Sequence, residues 1–329
     1  MIGMTNVIRV SSPTPPTPTE FLGLKFTAQQ QNSTVGYSIN SSTGTLAPTL
    51  YYSFDGNSWL TFSTGTTITL SNIGDYVYIK GNNPNGLSKS AREYLYFVMS
   101  GRISASGNIN SLLDNYDGSS ITEIPNNHCF VYLFSDCTSL TTIPNLPATI
   151  LKNNCYADMF LNCSSLTDLS NVVLPATTLA EYCYDFMFEG CTGITKAPSL
   201  PATTLTEGCY EGMFYGCSSL VQCPDLPARV LEYSCYAEMF EECTSLVNAP
   251  DMYFDTVPSD YWILGMMFYD CVNLRYIKLV NYTGEIKDDT GFQMWVDGVG
   301  SGGTIYYKGS TTTQGASAIP TGWTIVNNW

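Results

Sequence analysis

The sequence predicts an α/β solenoid, six helix–strand units of 26–28 residues stacked between about Asn108 and Val280, behind a small all-β, sandwich-like domain. Three observations carry that prediction. Cys137, Cys163, Cys191, Cys217, Cys243 and Cys271 recur 26 or 28 residues apart, which is the self-similarity of a repeat architecture. A second Cys stands eight residues before each of the first five (Cys129, Cys155, Cys183, Cys209, Cys235), with Ile263 in that place in the sixth unit. After each second Cys comes an apolar ladder: Leu140, Leu166, Ile194, Leu220, Leu246 and Leu274, then Ile143, Leu169, Ala197, Cys223, Ala249 and Ile277 three positions on.

The segment between the paired cysteines has helical spacing. In Cys183-Tyr184-Asp185-Phe186-Met187-Phe188-Glu189-Gly190-Cys191, the residues Cys183, Tyr184, Met187, Phe188 and Cys191 fall within an arc of about 140° on a helical wheel, one buried stripe. Thr178-Leu179-Ala180-Glu181 and Thr204-Leu205-Thr206-Glu207 have the form of helix-capping boxes just upstream. The short extended ladder cannot close a core alone, but stacked copies would form a continuous parallel sheet. One helix and one strand per unit is the arithmetic of a leucine-rich repeat.

At the level of motif the run Met-Phe-x-x-Cys-Ser/Thr-x-Leu/Ile resembles the BspA-like leucine-rich repeats. The longer unit with Leu174-Pro175-Ala176-Thr177-Thr178-Leu179 is similar to surface proteins of gut bacteria and to fibre or decoration virion proteins of their phages. The ending Ile319-Pro320-Thr321-Gly322-Trp323-Thr324-Ile325 is similar to the usual close of such proteins. The resemblance implies a non-enzymatic phage virion protein, a head or tail fibre or a capsid decoration, whose repeat surface contacts the bacterial host. The alternative it implies is a secreted or surface-anchored bacterial adhesin binding a host glycoprotein or glycan. Expected partners are other virion proteins through the N-terminus and a bacterial surface protein or glycan, with homo-oligomerisation left open. The expected location is the virion surface after assembly in the host cytoplasm, or alternatively the bacterial cell surface.

Flanking segments complete the expected organisation. Residues 1–19 read as a short peptide, with Val7, Ile8 and Val10 as a candidate virion anchor, followed by the Pro-rich spacer Ser11-Ser12-Pro13-Thr14-Pro15-Pro16-Thr17-Pro18-Thr19. Residues 20–107 read as strands, including a hairpin of Leu50-Tyr51-Tyr52-Ser53-Phe54 with Trp59-Leu60-Thr61-Phe62 across Asp55-Gly56-Asn57-Ser58. Residues 108–284 hold the repeats and 285–329 a degenerate capping segment. The N-terminus shows no basic region followed by a long apolar stretch, and no Cys precedes Cys129. Taken as the natural start, it predicts no ordinary export signal; a removed leader is the alternative.

Composition narrows the chemistry. Thirteen basic against twenty-eight acidic residues give a net charge of −15, which argues against nucleic acid as a partner. No apolar run reaches the length of a membrane span. The two cysteines of a unit, roughly 12 Å apart along a helix, are too distant to bridge, and the spacing matches no zinc motif, so the thiols read as free core residues, with bridges between equivalent cysteines of adjacent units as the alternative. A single histidine, His128, beside Cys129 supplies neither a zinc-protease pair nor a triad. No catalytic residue, metal or cofactor is therefore expected. The acids Asp158, Asp185, Glu189, Glu211, Glu238, Glu241 and Glu242 are expected on a solvated outer helix face, and the pair Asp288-Asp289 is also expected to be exposed. The candidate binding surface is the strand side. There Thr142, Asp168, Lys196, Gln222, Asn248 and Tyr276 vary at one repeat position and Asn145, Asn171, Ser199, Asp225 and Asp251 at another.

Overall fold

The computed structural model describes residues 21–258, 262–287, 291–309, 315, 318–327 and 329. The candidate anchor Val7, Ile8 and Val10, the Pro-rich spacer and Asp288-Asp289 lie outside them. Eight strands come first: β1 (Lys25–Ala28), β2 (Ser33–Ser41), β3 (Leu50–Ser53), β4 (Leu60–Phe62), β5 (Ile68–Leu70), β6 (Tyr76–Gly81), β7 (Glu93–Ser100) and β8 (Ile103–Ser106). They lie in two sheets, β4-β3-β6-β1-β8 and β5-β2-β7, with every pairing among these eight antiparallel. Alternating burial along β1 sends Phe26 and Ala28 inward, as a strand with one covered face requires. Across the gap Phe26 meets Phe97 of β7 edge-on at 5.1 Å, and Tyr37 of β2 meets Phe62 of β4 at 4.9 Å. The β3–β4 turn is closed by Asp55, whose carboxylate accepts from the amides of Asn57 (2.8 Å) and Ser58 (2.7 Å).

The first sheet does not stop there. After a 3-10 turn at Ile109–Leu112, β9 (Leu140–Thr142) joins β8 in parallel, so the sheet runs into the repeats without a break. The remaining strands, β10 (Asn248–Met252), β11 (Tyr276–Leu279), β12 (Thr304–Tyr307) and β13 (Thr324–Val326), form a parallel four-stranded sheet in sequence order. Between β9 and β10 successive coils meet through isolated parallel bridges such as Asp168↔Lys196, Lys196↔Gln222, Val173↔Ser199 and Thr178↔Thr204.

The segments between paired cysteines are not helices. The 3-10 turn is the sole helical element among the described residues. Each expected helix is instead a ribbon of overlapping β-turns whose amides alternate between two tasks. In the second coil, odd-numbered residues donate three residues back: Ala157 to Asn154 (3.3 Å), Met159 to Tyr156 (3.3 Å), Leu161 to Asp158 (3.2 Å). Even-numbered residues donate to the next coil: Tyr156 to Cys183 (3.0 Å), Asp158 to Asp185 (2.9 Å), Phe160 to Met187 (2.9 Å). An α-helix would keep all of these bonds to itself. Every fourth residue has positive φ, at Asn154 (56°), Asp158 (53°) and Asn162 (60°), the sign that a type II turn requires at its third residue. The architecture is therefore β-rich, with three sheets and no helical repeats.

These findings overturn four expectations together. The chain is not an α/β leucine-rich-repeat solenoid of helix–strand units, and its likeness to BspA-like leucine-rich-repeat proteins does not extend to the fold. The host-contact role of a phage fibre or decoration protein, and the alternative of a BspA-like adhesin, were both built on a leucine-rich-repeat surface that is absent. The physical reason is a near-coincidence of periods. Over eight residues a period of four and a period of 3.6 place the same side chains on one side, the mismatch amounting to about 80°.

The ribbon core is regular from coil to coil. Phe130, Tyr156, Tyr184, Tyr210 and Tyr236 form one column of parallel rings 5.7–6.1 Å apart. Phe134, Phe160, Phe188, Phe214, Phe240 and Phe268 form a second, 5.2–5.8 Å apart. The two cysteines of a coil have different duties. The second donates its S–H to the carbonyl of the preceding coil's Phe: Cys163 to Phe134 (3.1 Å), Cys191 to Phe160 (3.0 Å), Cys217 to Phe188 (3.2 Å) and Cys271 to Phe240 (3.0 Å). That carbonyl already accepts the amide three residues on, so the thiol fills its second lone pair. The first cysteine only fills space, which is why Ile263 can replace it, fully buried. All twelve thiols are free.

Both ends of the coil stack are covered, as a repeat array needs. At the N-terminal end Phe97 stacks on Phe134 at 5.2 Å, and its amide donates to Leu133 (2.9 Å) as an extra coil would; Leu87 does the same to Cys129 (3.0 Å). At the other end Trp295 closes the Phe column, 6.2 Å from Phe268, with its indole N–H on the carbonyl of Ala318 (2.6 Å).

Candidate functional site

The extended rungs bring most of the predicted surface residues onto one side. Asp168, Lys196 and Gln222 are successive bridge partners, and Asn248 pairs with Tyr276, which pairs in turn with Thr304. Thr142 begins the same row opposite Ser104 of β8. In the second row Asn145 bridges to Asn108, and Asp251 pairs with Lys278. Asn171 is out of register: Val173, not Asn171, faces Ser199, because the 28-residue unit places its two extra residues before this rung. Asp225 precedes Leu226, which bridges to Met252 and so sets Asp225 beside Asp251.

Two ion pairs tie neighbouring rungs, Lys196–Asp168 and Lys278–Asp251, both at 2.8 Å. The Lys196 ammonium, helped by Ser170, holds the Asp168 carboxyl far below the usual carboxylate range. Toward the C-terminal end the row becomes aromatic. Tyr276 lies 5.3 Å from Tyr306, and Tyr306 meets the edge of Trp329 at 6.0 Å. Lys278 and Lys308 set their ammonium groups 5.0 and 4.8 Å from the Trp329 ring centre. Tyr306, Trp329, Lys278 and Lys308 escaped the sequence reading because it followed the variable row only as far as Tyr276. The alternation in Gly303-Thr304-Ile305-Tyr306-Tyr307 was the available signal: Ile305 and Tyr307 are buried, and Thr304 and Tyr306 face out.

The acids of the turn ribbon depart from expectation. Except for exposed Glu242, they do not sit on a solvated face: Asp158, Asp185, Glu189, Glu211 and Glu238 are half-buried, and Glu241 is 6% exposed. Burial, reinforced by one another's charge, lifts their carboxyls to about 7 for Asp158, 9 for Asp185, 7 for Glu211 and 8 for Glu241. Glu189 and Glu238 are raised by the same desolvation. The Tyr132 hydroxyl donates to Asp158, whereas Oδ1 of Asp185 and Oε2 of Glu241 are buried without a hydrogen-bond partner.

Elsewhere the chemistry is quiet. His128 is half-buried with its imidazole shifted down by desolvation, and the adjacent Cys129 thiol is pushed far up by complete burial. A concavity of about 540 Å³ between the strand domain and the first coil is lined by amides and by Lys89 and Lys152, and contains no acid–base pair. Among the described residues no group of three or more His, Cys, Asp or Glu could hold a metal ion, and no helix is long and apolar enough to cross a membrane.

The class these features define is a capped stack of parallel β-turn coils with a polar-to-aromatic rung face. Comparison with protein-family models, curated proteins and solved structures finds no match for the chain.

Proposed function

We propose that this chain is a non-enzymatic scaffold that holds a side-chain surface in fixed register for a binding partner. One observation carries the reading above the others: the coil-to-coil backbone hydrogen bonds run through the ribbon from the first coil, Phe130 to Cys155 (2.9 Å), to the last described one, Phe268 to Trp295 (2.8 Å). With both ends covered, this framework fixes the rungs while their outward residues vary. The buried thiols support the same reading, since burial holds them protonated and removes them as nucleophiles.

Hydrogen–deuterium exchange on the full chain tests it. The amides of Tyr156, Phe160, Tyr184 and Phe188 are expected to exchange as slowly as those of the central strands β1 and β6. Exchange at the rate of loop amides would remove the rigid frame and the reading with it. A turnover activity that disappears in His128→Ala or Lys152→Ala would also overturn it.

A further inference from the structure

We propose that the outward face of β11 and β12, together with Trp329, binds a carboxylate-bearing saccharide. The inference rests on the scaffold reading and names the partner's chemistry. Tyr276, Tyr306 and Trp329 form a contiguous aromatic surface in which Trp329 is 43% exposed. Tyr276 and Tyr306 occupy the outward positions of inner strands, whose inward residues Ile277, Leu279, Ile305 and Tyr307 are buried in the core. The sheet backbone therefore fixes Tyr276 and Tyr306, which lose little freedom when a ligand settles on them. Tyrosine and tryptophan present a broad apolar ring with a polar tip, suited to the C–H face of a pyranose and its hydroxyl rim.

Charge selects within that class. The chain carries −15 overall, yet this face places Lys278 and Lys308 beside the same indole, with only Asp251 paired to Lys278. Lys308 makes no ion pair among the described residues. An ammonium held against an aromatic ring is a ready partner for a sugar carboxylate lying on that ring. A peptide fits less well, because the recurring peptide modes use a groove or an exposed strand edge, and the two tyrosines stand on the face of strands paired on both sides.

The test is titration calorimetry of the full chain at low ionic strength with oligogalacturonate, beside a neutral glucan oligomer of equal length and poly-glutamate. Oligogalacturonate is expected to bind at least about tenfold more tightly than either comparator. Trp329→Ala, Tyr306→Ala and Lys308→Ala are each expected to weaken it by about tenfold or more, with thermal midpoints unchanged for the exposed Lys308. Three outcomes overturn the proposal: no binding of oligogalacturonate, equal binding of the neutral glucan, or equal binding of poly-glutamate. A chain whose ribbon amides are protected but which ignores oligogalacturonate refutes the saccharide and leaves the scaffold standing. Unprotected amides refute the scaffold whatever the titration shows.

Discussion

The turn ribbon and the extended rungs belong to the same coils and repeat with the same period, yet they tolerate change in opposite ways. Along the ribbon the Tyr and Phe columns recur because each ring packs on its equivalent one coil away, and the second Cys recurs because its thiol donates to the preceding coil's Phe carbonyl. Along the rungs Asp168, Lys196, Gln222, Asn248 and Tyr276 share a place and little else, because backbone pairing sets their alignment whatever the side chain. The ribbon is expected to carry most of the stability, and the proposed recognition is assigned to the rungs.

The largest effect belongs to the ring columns. Phe188→Ala removes a fully buried ring stacked on both sides, by Phe160 at 5.4 Å and Phe214 at 5.8 Å. It should cost about 3–5 kcal/mol in a urea denaturation series. A loss below about 1 kcal/mol would mean that the columns are not the source of stability.

Next come the buried acids. Their folded pKa values, about 7 to 9 at Asp158, Asp185, Glu211 and Glu241, lie above the ~4 of an unfolded-chain carboxyl. Between those limits the folded state binds more protons, so the stabilisation is full only below about pH 4 and is lost progressively as pH rises to the folded values of about 7 to 9. Thermal midpoints should fall across that window. Asp185→Asn, which removes a charge without changing shape, should recover on the order of 1–2 kcal/mol at the alkaline end and little at the acid end. A midpoint flat from pH 5 to 9 would show that the carboxyls reach solvent more freely than their burial implies.

A glycine distinguishes ribbon from helix by the sign of its effect. Gly212 has φ of 55°, and a Cβ there would run into the Phe186 ring. Gly212→Ala should destabilise by about 1–2 kcal/mol, whereas in a helix the same change would stabilise by about 1 kcal/mol. Stabilisation in an equilibrium melt would return this segment to a helix.

The same glycine shows how much was legible beforehand. The repeat period, the free buried thiols and the hairpin across Asp55–Ser58 all read directly from residue types, because spacing and turn chemistry are local. The ribbon did not, because nine residues hold too few turns to separate a period of four from one of 3.6. One signal was available: Gly208, Gly212 and Gly216 recur every fourth residue, a costly choice in a helix and a natural one for φ of 55–67°. The buried acids were misplaced for the same reason, since a helical wheel turns Asp185 and Glu241 outward and a ribbon does not. On the candidate surface, register decided the outcome. Asn171 lost its place to Val173 through two inserted residues that no single-chain alignment could position.

Within the ribbon the two cysteines of a coil differ in their bonding. Cys191→Ala leaves the second lone pair of the Phe160 carbonyl unfilled in the core, while Cys183 makes no such bond. Cys191→Ala should therefore cost about 1 kcal/mol more than Cys183→Ala. Cys183→Ile should be tolerated better than Cys191→Ile, following Ile263. Equal costs in denaturant would reduce the thiol bond to packing.

The smallest effect is expected on the rungs, and its smallness is informative. Lys196 and Asp168 form a close ion pair, but both are open to water and both side chains must be held still to make it. Lys196→Ala should leave the denaturation midpoint unchanged within error and raise the Asp168 carboxyl back toward its ordinary range, a shift that carbon-detected NMR titration can follow. If the midpoint instead fell as it does for a ribbon residue, the rung face would be part of the framework. Its variation would then need a structural account, and the division between a ribbon that holds and a face that displays would fail at its weakest point.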